Sequence, residues 1–336
     1  MTGPSRAAAL AVATAALALA SCGAQHRKSA PGLPSAAEPA GAPVTARAPA
    51  GRSVKVGGLP EGIVVDGKTG LVVVGVRNPA QLVLLDARTG RVLRRISIAG
   101  APRHLQLAAA GGPVLVPAEP VNRLLELGLP RGGVRSIPVG AHPHDAAADG
   151  RRVFVANEFG QSVSVIQGSR VIASIGGFAQ PAGVASLGAK VAVVDVRLNS
   201  VTLIDARALA VTGRLAAGAG PTHDVAGLGG RLYVIDTRGG AVFSYQTRPT
   251  FRLLNRFSLP GAPYGVAIDR ARGRLWVALT AKDELVELAT GGQSLRVLGV
   301  YETGRQPNTV AVDPRDGRVF VADAGPGTVQ VIKPLR

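Results

Sequence analysis

Five histidines occur in this chain of 336 residues, and two of them stand beside an aspartate in one short run, "AHPHD", as His142, His144 and Asp145. Elsewhere His104 follows Arg103, and His223 is followed directly by Asp224. An imidazole changes charge near physiological pH and ligates transition metals through either ring nitrogen. Next to a carboxylate it also serves as a general base. The chemistry open to this set is zinc or copper binding, or metal-assisted hydrolysis or elimination. Whether the residues meet depends on the elements that carry them.

Each of these four histidines lies within two residues of a recurring proline. Pro60, Pro102, Pro143, Pro181, Pro221, Pro263 and Pro307 follow one another at steps of 42, 41, 38, 40, 42 and 44 residues. After each comes an alternating strand, a turn rich in Asp, Gly and Arg, and a second strand. "GAPYGVAIDRARGRLWVAL" and "RQPNTVAVDPRDGRVFVAD" are the clearest copies. Third strands ("SVSVI", "VTLID") and fourth strands ("VRSIPV", "LLNRFSL") complete the unit. Four short strands per repeat of about 40 residues make the blade of a β-propeller. Seven repeats predict an all-β, seven-bladed ring over residues 53–336, expected to be monomeric. In the second strands, Val72, Leu115, Phe154, Ala192, Tyr233, Trp276 and Phe320 form one column suited to packing between sheets. The seventh repeat ends at "VQVIKPLR", one strand short, while "SVKV" (53–56) stands unassigned ahead of the first. The N-terminal strand is therefore expected to pair onto the last blade, which removes an edge open to aggregation.

The first strand of each blade lines the central channel of a propeller, so the proline turns should ring one mouth of it. The residues after the prolines read Glu61, Arg103, His144, Ala182, Thr222, Tyr264 and Asn308; the next column reads Gly62, His104, Asp145, Gly183, His223, Gly265 and Thr309. Glu61, Arg103, His104, His144, Asp145, His223, Asp224, Tyr264 and Asn308 are thus expected to form a ligand-binding rim. A divalent transition metal, zinc or copper, would be held by His104, His144 and His223. His142 precedes its proline and suits that set least. Ligation needs nitrogens about 2 Å from one ion, and these residues come from three blades. The competing reading is a polar rim whose Asp and His side chains bond the local turns. No Gly-x-Ser-x-Gly elbow, phosphate loop or His-Glu-x-x-His pattern occurs, so no residue is assigned a catalytic role. Asn157, Asp195, Asp236 and Asp323, which end second strands, are expected to cap the neighbouring turns.

"RVFVAN" (152–157), "RLYVID" (231–236) and "RVFVAD" (318–323) resemble the signature of YVTN-type propeller repeats, to which NHL repeats are related. The resemblance runs through all seven repeats. It implies a propeller, and a family that includes surface-layer and DNA-binding periplasmic proteins as well as lactonases and the streptogramin lyase. Their catalytic residues find no position-by-position counterpart in this sequence, and fold alone does not grant activity.

Ahead of the repeats, Arg6 and an apolar run over residues 7–20 have the length of a signal-peptide core rather than of a bilayer span. The run ends in "LASC", where Cys22 is the only cysteine. This resembles the lipobox of bacterial lipoproteins, which implies cleavage before Cys22 and lipid on its thiol. Residues 1–21 are then the signal peptide, and the partner implied is a membrane. The protein would be exported and held in the cell envelope. Residues 22–52, rich in proline and alanine, are expected to form a flexible tether; His26 lies within it.

The net charge is +17. Residues 1–52 hold five basic residues and one acidic residue, which leaves 33 against 20, or +13, on the repeats. Such a surface attracts polyanions. However, 32 of the 38 basic residues are arginines spread through blade turns, with no basic run longer than two, and aromatic residues make up only 4%. That composition argues against a base-stacking platform for nucleic acid. Two function classes remain. The first is a non-enzymatic binding or scaffold propeller for a protein, glycan or small molecule. The second is a lactonase-like, metal-assisted hydrolase or lyase at the histidine ring.

Overall fold

Alternating apolar residues and Asp-Gly turns in each repeat produce seven four-stranded antiparallel sheets, arranged as the blades of a β-propeller. The computed structural model describes residues 1, 3, 33–44 and 47–334. It divides the chain into two units, Met1–Leu33 and Pro34–Arg336; the propeller belongs to the second. The signal segment and the Cys22 expectation lie outside the described residues. Among those residues no helix is long and apolar enough to cross a membrane.

Blades 1 to 6 are residues 58–97, 106–138, 143–175, 181–216, 221–258 and 263–302. Blade 7 takes Pro307–Val312, Val319–Asp323 and Thr328–Ile332, and its outer strand is Arg52–Lys55 from the other end of the repeats. Val54 stands opposite Val329 in that antiparallel pair, and Val56 just beyond it is fully buried against Val329 and Val331.

Second strands are covered on both faces by neighbouring blades, which is why they read as unbroken apolar runs such as "LVVV". Val72, Leu115, Phe154, Ala192, Tyr233, Trp276 and Phe320 are all buried, as their column requires. The cores sit between blades: Val194 and Leu203 of blade 4, for example, pack with Leu232, Val234 and Tyr245 of blade 5. Fourth strands such as Arg170–Ile175 lie at the rim and are largely exposed. The Asp turns between first and second strands are built by side chain to backbone bonding. Asp66 accepts from Thr69 N (2.9 Å) and Oγ1 (2.6 Å), and also from Gly111 N of the next blade (2.9 Å).

Residues 34–44, which composition assigns to the tether, run instead along one face of the propeller. Arg197 donates to Pro34 O (3.2 Å), Arg238 to Ser35 O (2.7 Å) and Arg305 to Ala42 O (3.1 Å), while Ala40 N donates to Thr280 Oγ1 (2.9 Å). Ala37 and Ala42 are buried by this contact. Arginines from the blades hold the backbone, so the segment needs no large apolar side chain of its own.

Candidate functional site

Two of the proline turns are pinned by the residues that end the second strands, whereas Asn157 bonds Ser162 and Ser164 and Asp323 bonds Thr328, across the following turn only. Pro181 and Pro221 stand opposite Asp195 and Asp236. Asp195 accepts from Ala179 N (2.6 Å) and Gln180 N (3.2 Å), and Asp236 from Ala219 N (3.1 Å) and Gly220 N (2.8 Å), the residues just before each proline. Both also cap their own turns, through Leu198 N and Gly239 N. Immediately after the proline the ladder is irregular in every blade; in the second a lone Pro102–Ala118 bridge is followed by pairing that resumes only at Gln106–Leu115. Such a bulge breaks the alternation of a strand. His144 is the extra residue of its blade's bulge, while His223 and Asp224 follow theirs in regular register opposite Ile235 and Val234; all three, with Asp145, are buried at the channel.

His104, His144 and His223 do meet. The rings of His104 and His223 lie edge to face with centroids 4.3 Å apart, and His144 is 4.8 Å from His104 and 6.2 Å from His223. Nε2 of His104 and Nε2 of His223 share one hydrogen bond of 2.9 Å, so one donates and the other accepts. His144 bonds the backbone of Ala182. Burial, reinforced by the Arg103 guanidinium, holds all three imidazoles well below the usual histidine range, so they are neutral. Tyr264 packs its ring against His223 at 4.5 Å, and burial raises its hydroxyl above the ordinary tyrosine value.

The expected zinc or copper set is not assembled by these contacts. Among the described residues no group of three or more His, Cys, Asp or Glu side chains is arranged to hold a metal ion. Two of the histidine nitrogens are turned onto each other and the third ring is bonded to a carbonyl. His142 stands apart: its backbone is left-handed (φ 53°) and its ring packs on Phe159 at 4.8 Å.

Asp145 and Asp224 lie toward the channel interior. Asp145 accepts from Gln106 Nε2 (2.9 and 3.0 Å), Val184 N (3.0 Å) and Ala146 N (2.8 Å). Burial still pushes its carboxyl up to about 7 against those bonds. Asp224 is buried with no hydrogen-bond partner on either oxygen. Burial, with Asp145 next to it, raises it well above the usual carboxylate range. Both aspartates, with His104, His223 and Gln106, line one end of a cavity of about 470 Å³ that runs along the inner strands to exposed Arg270.

On the mouth side, Glu61 accepts from Arg77 (2.8 Å) and Arg103 (3.1 Å), and Arg77 also bonds Glu119 (3.0 Å). Burial alone would lower the Arg103 guanidinium, but Glu61, ahead of Glu119 and Glu158, holds it above its ordinary value. Residues 36–38 lie over His144, His223 and Tyr264, with a gap of only about 10 Å³ beneath them. Asn308 is half-buried, with an unpartnered Oδ1.

Arg77, Glu119 and Glu158 were not singled out from the sequence. They occupy one repeat column, the position following the residue paired with each proline, which continues as Val196, Thr237, Thr280 and Ala324. That column was available in the repeat alignment. Glu158 from it accepts from Gln180 Nε2 at 2.7 Å, and Thr280 holds Ala40.

No protein-family model and no curated protein matches this chain. Solved structures do match. A chain of Kuenenia stuttgartiensis hydrazine synthase aligns with a TM-score of 0.74 at 16% identity, covering 84% of this chain and 97% of that one. Catalytically inactive virginiamycin B lyase from Staphylococcus aureus, with quinupristin, aligns at 0.70 and 13%, covering 84% and 99%. A chain of the mitotic checkpoint complex aligns at 0.75 and 12%, covering 89% and 97%. At such identities the likeness is one of fold, and that fold serves enzymes and assemblies alike.

Proposed function

We propose that this chain is an exported bacterial lipoprotein of the cell envelope, anchored through Cys22. Its YVTN- or NHL-like propeller binds a ligand along the central channel without transforming it. The observation that carries the binding reading is the state of the three histidines. A general base must come within hydrogen-bond reach of the proton that it takes. His104, His144 and His223 are only 6, 4 and 7% exposed. Residues 36–38 cover His144 and His223 on the mouth side, and the facing nitrogens of His104 and His223 are used on each other. The cavity behind them has the size of a small-molecule site, for which roughly 300–1,000 Å³ is usual.

The alternative is a hydrolase or lyase. To decide between them, the full chain and a variant lacking residues 34–44 are incubated at pH 7 with p-nitrophenyl acetate, a γ-lactone and quinupristin. Neither protein is expected to turn over any of the three above buffer. Turnover that disappears in His223→Ala would overturn the binding reading in favour of a histidine-dependent enzyme.

A further inference from the structure

We infer that the central channel takes a small organic ammonium compound, with its cationic head against Asp224 and Asp145 and its apolar body along the channel wall. The inference rests on the binding reading above and names the ligand class. Asp224 is 8% exposed, lines the cavity, and meets no donor at Oδ1 or Oδ2. Buried polar atoms are nearly always paired, and at this end of the channel both oxygens of Asp224 lack a protein partner. A primary ammonium brings three donors and no acceptor. Asp145 supplies a second carboxylate, fixed in place by Gln106, Val184 and Ala146.

Gly183 faces this point: a Cβ there would come within 2.9 Å of Asp224 Oδ1, so its absence leaves the carboxyl room. The rest of the cavity is walled by apolar inner-strand residues such as Ile63, Val184, Val225, Val266 and Val310. Arg270 at the far end is the one cation lining it among the described residues, and it bonds Ala226 O at 2.7 Å. An anion would therefore have to take its partner from the rim, whereas an ammonium finds its acceptors at the deep end.

The test is isothermal titration calorimetry of the full chain with three probes of equal length: n-hexylamine, 1-hexanol and hexanoate. Hexylamine is expected to bind at least tenfold tighter than hexanol, and hexanoate not measurably. Asp224→Asn keeps the shape and breaks no protein hydrogen bond, so it should stay folded. It is expected to bring the amine down to the affinity of the alcohol while leaving the alcohol unchanged. Ala148→Leu, which narrows the channel, is expected to weaken both. The inference is overturned if hexanol or hexanoate binds as well as the amine, if none of the three binds, or if the amine preference survives Asp224→Asn. Should that variant fail to fold, the ranking of the three probes on the native chain decides alone. A reversed ranking removes the ammonium class and leaves a binding protein; the failure of the binding reading itself would appear as turnover in the histidine-dependent assay.

Discussion

Burial strips the charge from the residues at the channel by opposite routes, withholding a proton from each imidazole and adding one to each carboxyl. The two routes have opposite signs in the pH dependence of stability. The native histidines stay neutral below the unfolded value of 6.5, where the unfolded chain takes up protons, so their effect is to lose stability as pH falls below about 6.5. Asp145 at about 7, Asp323 at about 8 and Asp224, raised well above 3.8, keep protons that the unfolded chain has released, so stability falls as pH rises above about 4. The two groups oppose each other between about pH 4 and 6.5, above which the carboxyls act alone. Asp224→Asn removes one of those protons. Between pH 5 and 7 the variant is expected to gain up to about 2.8 kcal/mol relative to the native chain, since each linked proton is worth roughly 1.4 kcal/mol per pH unit. Urea unfolding at the two pH values measures this; an unchanged difference would mean that Asp224 is not held protonated. The meeting of His104, His144 and His223 was legible because all three sit within two residues of a repeat proline. Their orientation was not, since it depends on the bulges after the prolines, and those are irregularities of pairing that no residue type announces.

Two N-terminal elements differ in how they are held. Arg52–Lys55 is an outer strand of blade 7, backed by fully buried Val56. Residues 34–44 touch the blades through backbone carbonyls and arginines. The first was legible in the sequence as a spare apolar segment matching a missing strand. The second was not, because alanine, proline and glycine carry no periodicity and the holding groups, Arg197, Arg238 and Arg305, lie in distant repeats. Deleting residues 34–44 is expected to lower the melting temperature modestly and to uncover His144 and His223. Diethylpyrocarbonate, which attacks neutral imidazoles, should then modify both in the truncated protein and spare them in the full chain; equal protection would show that the segment does not seal the mouth. Extending the deletion through Gly57 exposes the edge of Thr328–Ile332 and is expected to cause aggregation. Val56→Ala alone should cost about 2 kcal/mol in urea unfolding, as for other large-to-small changes in a packed core. A deletion through Gly57 that behaves like the shorter one would mean that the outer strand adds little to the ring.

At the scale of the whole molecule, the propeller is fixed by its repeats and says little about where it works, since enzymes and assemblies share it. The proposed envelope location rests on two features that lie apart from the blades in sequence or in kind: the "LASC" run ending at Cys22, and a net charge of +17. Either could bring the protein to a membrane. Scattered arginines attract anionic headgroups, but such attraction between exposed charges is screened within about 3 Å at 1 M salt. Lipid chains act through buried methylenes, and two or more together give anchoring that salt does not reverse. The native chain is therefore expected to stay with the membrane fraction through a 1 M NaCl wash. Cys22→Ala should either remain uncleaved or leave the membrane in that wash, while any retention at low salt reports the charge alone. Salt-resistant retention of the Cys22→Ala protein, processed at the same bond as the native chain, would remove the lipid anchor and leave the basic surface to account for membrane attachment.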